Sequence, residues 1–248
     1  MQNKFSNKYP IINLYKKKSA TSKIVTQMLY GENFTIIRKF GNWCKIKLHI
    51  DGYVGFIIRK KFAKPFKPTH KVSVLAANIY GKPSSKTKQN KKLTFSSKIY
   101  AKEKYGSFIK FENQWIRTKD LKPINYKYKN IFSKINLFKG KKYQWGGKNF
   151  NGVDCSALVQ LFFNFNNKFC PRDTKDQLNY FKKKVKLQNI KKNDLIFWQG
   201  HVAIILSKNK LIHAYGPSKK VFIMNINYAI KKIEKTANLK VVGIRRAN

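Results

Sequence analysis

"YQWGGKNFNGVDCSALVQLFF" (143–163) marks the point at which the chain changes character. Its first half carries two glycines and an Asn-Gly turn signal. Its second half opens "DCSALVQLFFNF" (154–165), which has too few β-branched residues for a strand and suits a buried helix. Upstream the pattern is different. "NFTIIRKF" (33–40), "NWCKIKLHI" (42–50) and "GYVGFIIRKKF" (52–62) are β-branched and aromatic runs separated by Gly, Asn and Asp, and they read as short strands. Downstream, "TKDQLNYF" (174–181) offers a capping box in Thr174 and Gln177. "DLIFWQGHVAIILSKNKLIHAY" (194–215) then reads as three strands with turns at Gln199–Gly200 and around Asn209. Just before the switch, "NIFSKINLFKG" (130–140) spaces Ile131, Ile135 and Phe138 as a short amphipathic helix stopped by Gly140. Helices followed by an antiparallel sheet make residues 126–248 an α+β domain.

The N-terminal half repeats itself weakly. "INLYKKKSATSK" (12–23) is echoed by "ANIYGKPSSKTK" (77–88), and "FTIIRKFGNWCKI" (34–46) by "KIYAKEKYGSFIKF" (98–111). "GYVGFIIRKKFAKP" (52–65) is echoed by "NQWIRTKDLKP" (113–123), with "KPFKP" (64–68) as the linker. Short strands at this spacing predict two small antiparallel barrels, over 1–66 and 67–125.

Composition excludes several classes. The 248 residues are 42% hydrophobic and 15% aromatic, enough to bury a core, so the chain is not disordered. Cys44, Cys155 and Cys170 are an odd number, far apart and without a CxxC pair; this argues against a disulfide framework and against a zinc site. No signal-peptide apolar core occurs in the first 30 residues, and no apolar run approaches the ~18 residues of a membrane span. The expectation is a soluble cytoplasmic protein with free thiols. The net charge of +44 is extreme, yet it divides as +12, +11 and +21 over 1–66, 67–125 and 126–248. A nucleic-acid footprint is lopsided; charge this uniform reads as solvated faces, with a polyanion-binding surface as the alternative.

Cys155 is open to four readings: small core residue, half-disulfide, metal ligand or nucleophile. A nucleophilic thiol needs a lowered pKa, which a helix N-terminus or an imidazole supplies. First-turn N–H groups double as an oxyanion hole. Of four histidines, His49 and His70 fall in the strand-rich half, while His201 and His213 fall in the predicted hairpin. If Ser207–Lys208–Asn209 is a three-residue loop with Asn209 left-handed, Leu206 faces Lys210 and Ala203 faces His213. His201 is then diagonal to His213 on one face, ~7–8 Å away at Cα. A two-residue loop would put the histidines on opposite faces. A nucleophile at a helix start with a His on a sheet is the arrangement of papain-like chemistry, His201 as base and His213 as its orienter.

"YQWGGKNFNGVDCSALVQ", "CPRDTKDQ", "KKNDLIFWQGHVAIIL" and "KLIHAY" resemble, in order, the signature blocks of the NlpC-type cell-wall cysteine peptidases. The resemblance covers residues 126–248, and the N-terminal repeats look like bacterial Src-homology-3-like domains. The layout is similar to the dipeptidyl-peptidase VI-like branch, the γ-D-glutamyl-L-diamino acid endopeptidases of murein-peptide recycling. It implies a papain-like fold with Cys155 as nucleophile, His201 as base and acid, and His213 as orienter. It also implies that Asp154, Ser156, Tyr53 in "DGYVGF" and Glu32 in "LYGENF" line the pocket for the free amine of an N-terminal L-alanine, with Tyr143 as a substrate-binding tyrosine near the catalytic thiol. Tyr53 and Asp154 are then expected around one cleft. The implied substrate is a murein-derived peptide, with no cofactor, no metal, no membrane and no specific nucleic acid. Ala203 stands where the family usually has Gly, and Cys170 where an aliphatic residue often precedes "PRD". Two rivals are a basic tandem-barrel nucleic-acid-binding protein with a vestigial peptidase domain, and a secreted peptidoglycan hydrolase.

Overall fold

The computed structural model describes residues 4–247 and resolves into two compact units. The first runs from the N-terminus through Lys127 and includes Lys148–Phe150 and Asn164–Asn167. The second holds Tyr128–Gly147, Asn151–Phe163 and the chain from Lys168 onward.

The first unit begins with β1 (Lys4–Ser6), β2 (Ile11–Tyr15), β3 (Ile24–Leu29), β4 (Asn33–Phe40), β5 (Trp43–Leu48) and β6 (Val54–Ile58). They form one sheet in the order β1-β4-β5-β6-β2-β3. Strand alternation shows in β5, which buries Cys44, Ile46 and Leu48 against Leu14, Met28, Phe34 and Ile57 and turns Lys45 and Lys47 outward. The second copy comprises β7 (His70–Val72), β8 (Ala76–Tyr80), β9 (Lys88–Thr94), β10 (Lys98–Ile99), β11 (Glu103–Tyr105), β12 (Phe108–Phe111), β13 (Gln114–Arg117) and β14 (Leu121–Pro123). Its strands divide into β11-β12-β13-β8-β9 and β10-β7-β14. The order β12-β13-β8-β9 reproduces β5-β6-β2-β3, so the repeat read in the sequence is a repeat of topology. The closed barrels expected here are open sheets instead. A barrel must pair every strand on both sides, but β1 is three residues long and pairs with β4, and the second copy breaks its ring into two sheets. A late segment, β15 (Lys148–Asn149), also belongs to this unit and buries the Lys148 ammonium 2.7 Å from the Glu32 carboxylate.

The second unit holds β16 (Gly152–Val153), α1 (Cys155–Phe165) up to Phe163, α2 (Thr174–Tyr180), β17 (Leu195–Trp198), β18 (His201–Ile205), β19 (Lys210–Tyr215), β20 (Lys220–Asn225), α3 (Ile226–Ala237) and β21 (Val241–Arg245), the last two residues of α1 counting with the first unit. Five of these strands make an antiparallel sheet, β20-β19-β18-β17-β21. Every residue of α1 is buried, as its apolar composition requires. Helix α3 is amphipathic: Ile226, Ala229 and Ile233 join Trp198, Leu211, Tyr215 and Met224 in a core on one face of the sheet. It starts at Asn225, whose Oδ1 accepts from Tyr228 N at 3.1 Å, and ends at a left-handed Asn238. The helix expected at 130–140 is a 3₁₀ turn at Ile135–Phe138, with Phe132 rather than Ile131 as its third buried anchor. Eleven residues rich in Asn, Ser and Lys fall short of helix nucleation without a full apolar stripe.

Candidate active site

Asp154 starts α1 where it does. Its Oδ1 accepts from Ala157 N at 2.8 Å and its backbone oxygen from Leu158 N at 3.0 Å. The turn ahead of it is tight: a Cβ on Gly152 would lie 2.6 Å from Cβ of Gln144, so only glycine fits there. The cap places Cys155 in the first helical turn, its Sγ 4.0 Å from Thr174 Oγ1 and 4.0 Å from the carbonyl oxygen of Gly200. Gly200, at φ +73°, completes the two-residue turn between β17 and β18, so His201, which opens β18, directly follows the residue whose carbonyl the thiol approaches.

The hairpin β18–β19 takes the odd-loop register. Ile204 faces Ile212, Ile205 faces Leu211, and Leu206 N donates to Lys210 O at 2.8 Å. Asn209 does not adopt the left-handed conformation expected of it; Ser207 closes the loop instead, its Oγ accepting from Asn209 N at 3.3 Å. The histidines therefore share a face, and His201 Nε2 lies 2.9 Å from His213 Nδ1. His213 is fully buried, stacked on Tyr215 and flanked by Phe222, with its Nε2 3.1 Å from the sulfur of Met224. Burial pushes the Cys155 thiol up to about 11, reinforced by the neighbouring Asp154 carboxylate, and pushes His201 down to about 4. The resting pair is thus a neutral thiol and a neutral imidazole, because desolvation outweighs the lowering expected at a helix start.

Asp154 and Ser156 are committed to each other and to Arg172. The Asp154 carboxylate accepts from Gly146 N, Ala157 N, Ser156 Oγ and both terminal nitrogens of Arg172, five donors for about four lone-pair sites. Ser156 Oγ also accepts from Arg172 Nη1 at 2.9 Å. In this arrangement the Asp154 acceptors serve the helix cap and the guanidinium, where the expectation gave them to a substrate ammonium. Gln177, read as half of a capping box, instead donates its side-chain amide to Ser156 O and Pro171 O, each at 2.9 Å, while Asp173 holds the N-cap position of α2 without a side-chain capping bond. Arg172 and Met224 went unassigned in the sequence, and Thr174 and Gln177 were read there only as a capping box; the "PRD" run was the one signal for Arg172.

Tyr143 is half-buried in the same unit. Its ring lies against Gly216, where a Cβ would meet ring carbons from 3.3 Å, and burial raises its phenol pKa, with Cys155 and Asp154 adding to the shift. Tyr53 and Glu32 belong to the first unit. The Tyr53 ring packs half-buried against the core of the first sheet. Glu32 is buried, its Oε1 paired with Lys148 Nζ at 2.7 Å and its Oε2 accepting from Leu29 N at 2.9 Å. A carboxylate so engaged anchors the first unit, where the expectation gave it to a substrate amine. No group of three or more metal-ligating side chains occurs among the described residues.

A family model described as NlpC/P60 matches residues 140–238, the stretch that contains Cys155, His201 and His213. The chain carries an NlpC/P60 domain. It is a cysteine peptidase. Ahead of the NlpC/P60 domain, residues 14–61 match the bacterial dipeptidyl-peptidase Src-homology-3 domain. Dipeptidyl-peptidase 6 of Lysinibacillus sphaericus is 22% identical over 232 residues, spanning 82% of this chain and 84% of that protein. The γ-D-glutamyl-L-lysine dipeptidyl-peptidase of Bacillus cereus is 24% identical over 242 residues, spanning 83% of this chain and 72% of that protein. The crystal structure of an NlpC/P60 family protein from Bacillus cereus superposes with a TM-score of 0.84 at 20% identity, over 98% of this chain and 99% of that one, so the two share a fold.

Proposed function

We propose that this cell-wall peptidase cleaves the γ-D-glutamyl–L-diamino acid bond of murein-derived peptides that begin with a free L-alanine. The observation that carries the reading is the seating of the Cys155 sulfur beside Gly200, next to a His201 that is hydrogen-bonded to His213. Cys155 attacks the γ-carbonyl carbon of D-glutamate as His201 takes the thiol proton. First-turn N–H groups of α1 ahead of Ala157, whose own N–H is taken by Asp154, stabilise the oxyanion. His201 returns the proton to the departing amine of the diamino acid. Water, deprotonated by His201, then hydrolyses the thioester and frees L-Ala-D-Glu. The relatives named as dipeptidyl-peptidases support release of a dipeptide from a free N-terminus. Tyr143 is the residue we assign to the amine side, since Asp154 and Ser156 are occupied by Arg172. The buried thiols of Cys44 and Cys155 suit work on released peptides in a reducing cytoplasm.

The test is cleavage of L-Ala-γ-D-Glu-L-diaminopimelate, of its lysine counterpart and of their N-acetylated forms, read by product mass. The free peptides are expected to yield L-Ala-D-Glu, the acetylated ones to stay intact, and Cys155→Ala to abolish turnover while Cys44→Ala and Cys170→Ala retain it. Equal cleavage of acetylated peptide overturns the dipeptidase reading. Loss of activity in Cys170→Ala equal to that in Cys155→Ala overturns the nucleophile.

A further inference from the structure

We propose that Met224 is a positioning residue: its thioether sulfur, an acceptor with no hydrogen, fixes the tautomer of His213 and through it leaves the lone pair of His201 on Nδ1. This rests on the assignment of His201 as the base. The contacts form a line. His201 Nε2 meets His213 Nδ1 at 2.9 Å, and His213 Nε2 meets Met224 Sδ at 3.1 Å. The strand register builds it: His213 faces Phe222 and Leu211 faces Met224, so Met224 is the diagonal same-face neighbour of His213. All three side chains are buried.

Two neutral arrangements satisfy the bond between the histidines. In one, His201 Nε2–H donates to His213 Nδ1, and His213 Nε2–H points at Met224. His201 Nδ1 then holds a lone pair and accepts the thiol proton. In the other, His213 Nδ1–H donates to His201 Nε2. His201 then carries its hydrogen on Nδ1, the wrong form for a base, and the lone pair of His213 Nε2 faces the lone pairs of the sulfur. A thioether accepts and cannot donate. It stabilises the first arrangement and repels the second. His213 has no incentive to become an imidazolium, being wrapped by Tyr215 and Phe222 and near the Lys232 ammonium of α3. A neutral ring that only accepts from His201 also stabilises the imidazolium of His201 when the thiol proton arrives.

The prediction separates acceptor from packing. Met224→Leu conserves volume and removes the acceptor; Met224→Gln keeps one in its amide oxygen. A packing role ranks Leu above Gln. The positioning role ranks Gln above Leu: kcat falls roughly fivefold in Met224→Leu, the size of one net hydrogen bond, with KM unchanged, and Met224→Gln recovers most of it. Nitrogen-15 spectra of histidine-labelled protein read the tautomers directly. His213 is expected as Nε2–H in the wild type and as a mixture in Met224→Leu. An Nδ1–H form of His213 in the wild type, or Met224→Leu with unaltered tautomer and kcat, overturns the proposal. Should the variants not fold, the wild-type spectrum still decides. Full activity in His201→Ala would sink the assignment of the base, a different result that leaves the His213 tautomer readable.

Discussion

Burial moves the two reacting groups away from each other, Cys155 up to about 11 and His201 down to about 4. An ordinary imidazole, titrating near ~6.5, would make kcat/KM fall as pH drops through that value. Here the folded pKa is depressed, so His201 remains an unprotonated base to much lower pH. We expect kcat/KM flat across neutrality and down through pH ~6.5, falling only on approach to about 4; an acid limb near ~6.5 in the pH–rate profile would contradict it. Asp154 gives a second test. Its carboxylate pairs with an Arg172 that is itself buried. Asp154→Ala leaves that guanidinium uncompensated and removes the α1 cap, so urea unfolding is expected to show a loss of about 3–5 kcal/mol. A loss under ~1 kcal/mol, the value of an exposed pair, would refute the anchoring role.

Strand β7 carries the sequence "HKV". In the fold Lys71 is fully buried, its ammonium bonded to the carbonyl of Phe165 and 4.7 Å from the centroid of that ring. Burial pushes its pKa from 10.5 down to about 8, with Lys98 and Lys127 adding repulsion. Because the folded value is the lower one, the unfolded chain binds more protons between the two values, and stability rises with pH across that window. Lys71→Met is expected to raise stability at neutral pH and to remove that part of the rise between about 8 and 10.5, seen as the difference between the two unfolding curves. Identical curves would mean that the carbonyl bond and the ring fully offset the desolvation. Glu32 and Lys148 belong to the same scale: 116 residues apart, they meet as a buried pair, while the adjacent Gln27 accepts from the Lys148 backbone.

Over the whole molecule the charge of +44 is spread evenly along the sequence. Spread charge gives a long-range attraction for acidic solutes without choosing among them. The proposed peptides carry several carboxylates, so association should weaken once salt shortens the screening length below ~10 Å. We expect KM for the tripeptide to rise with ionic strength while kcat holds, since the neutral Cys155–His201 pair is buried. A KM indifferent to salt would assign the lysines to solubility alone.

What the sequence by itself determined was whatever local periodicity and short-range geometry control. The switch at Asn151–Gly152 to a buried helix, the strands of 194–215 and the repeat of strand order in the first half were all legible there. So was the shared face of His201 and His213, because loop parity fixes side-chain direction. The 130–140 helix was misread since three apolar positions set a period but cannot nucleate a helix of that length. Only the tertiary structure decided the fate of the charged and polar side chains. Asp154, Glu32 and Lys71 look alike in a sequence whether they face water, substrate or a partner many residues away, and Met224 reads as filler until β20 lies beside β19. Their roles depend on desolvation and on which donor or acceptor arrives from elsewhere in the chain, quantities that have no period.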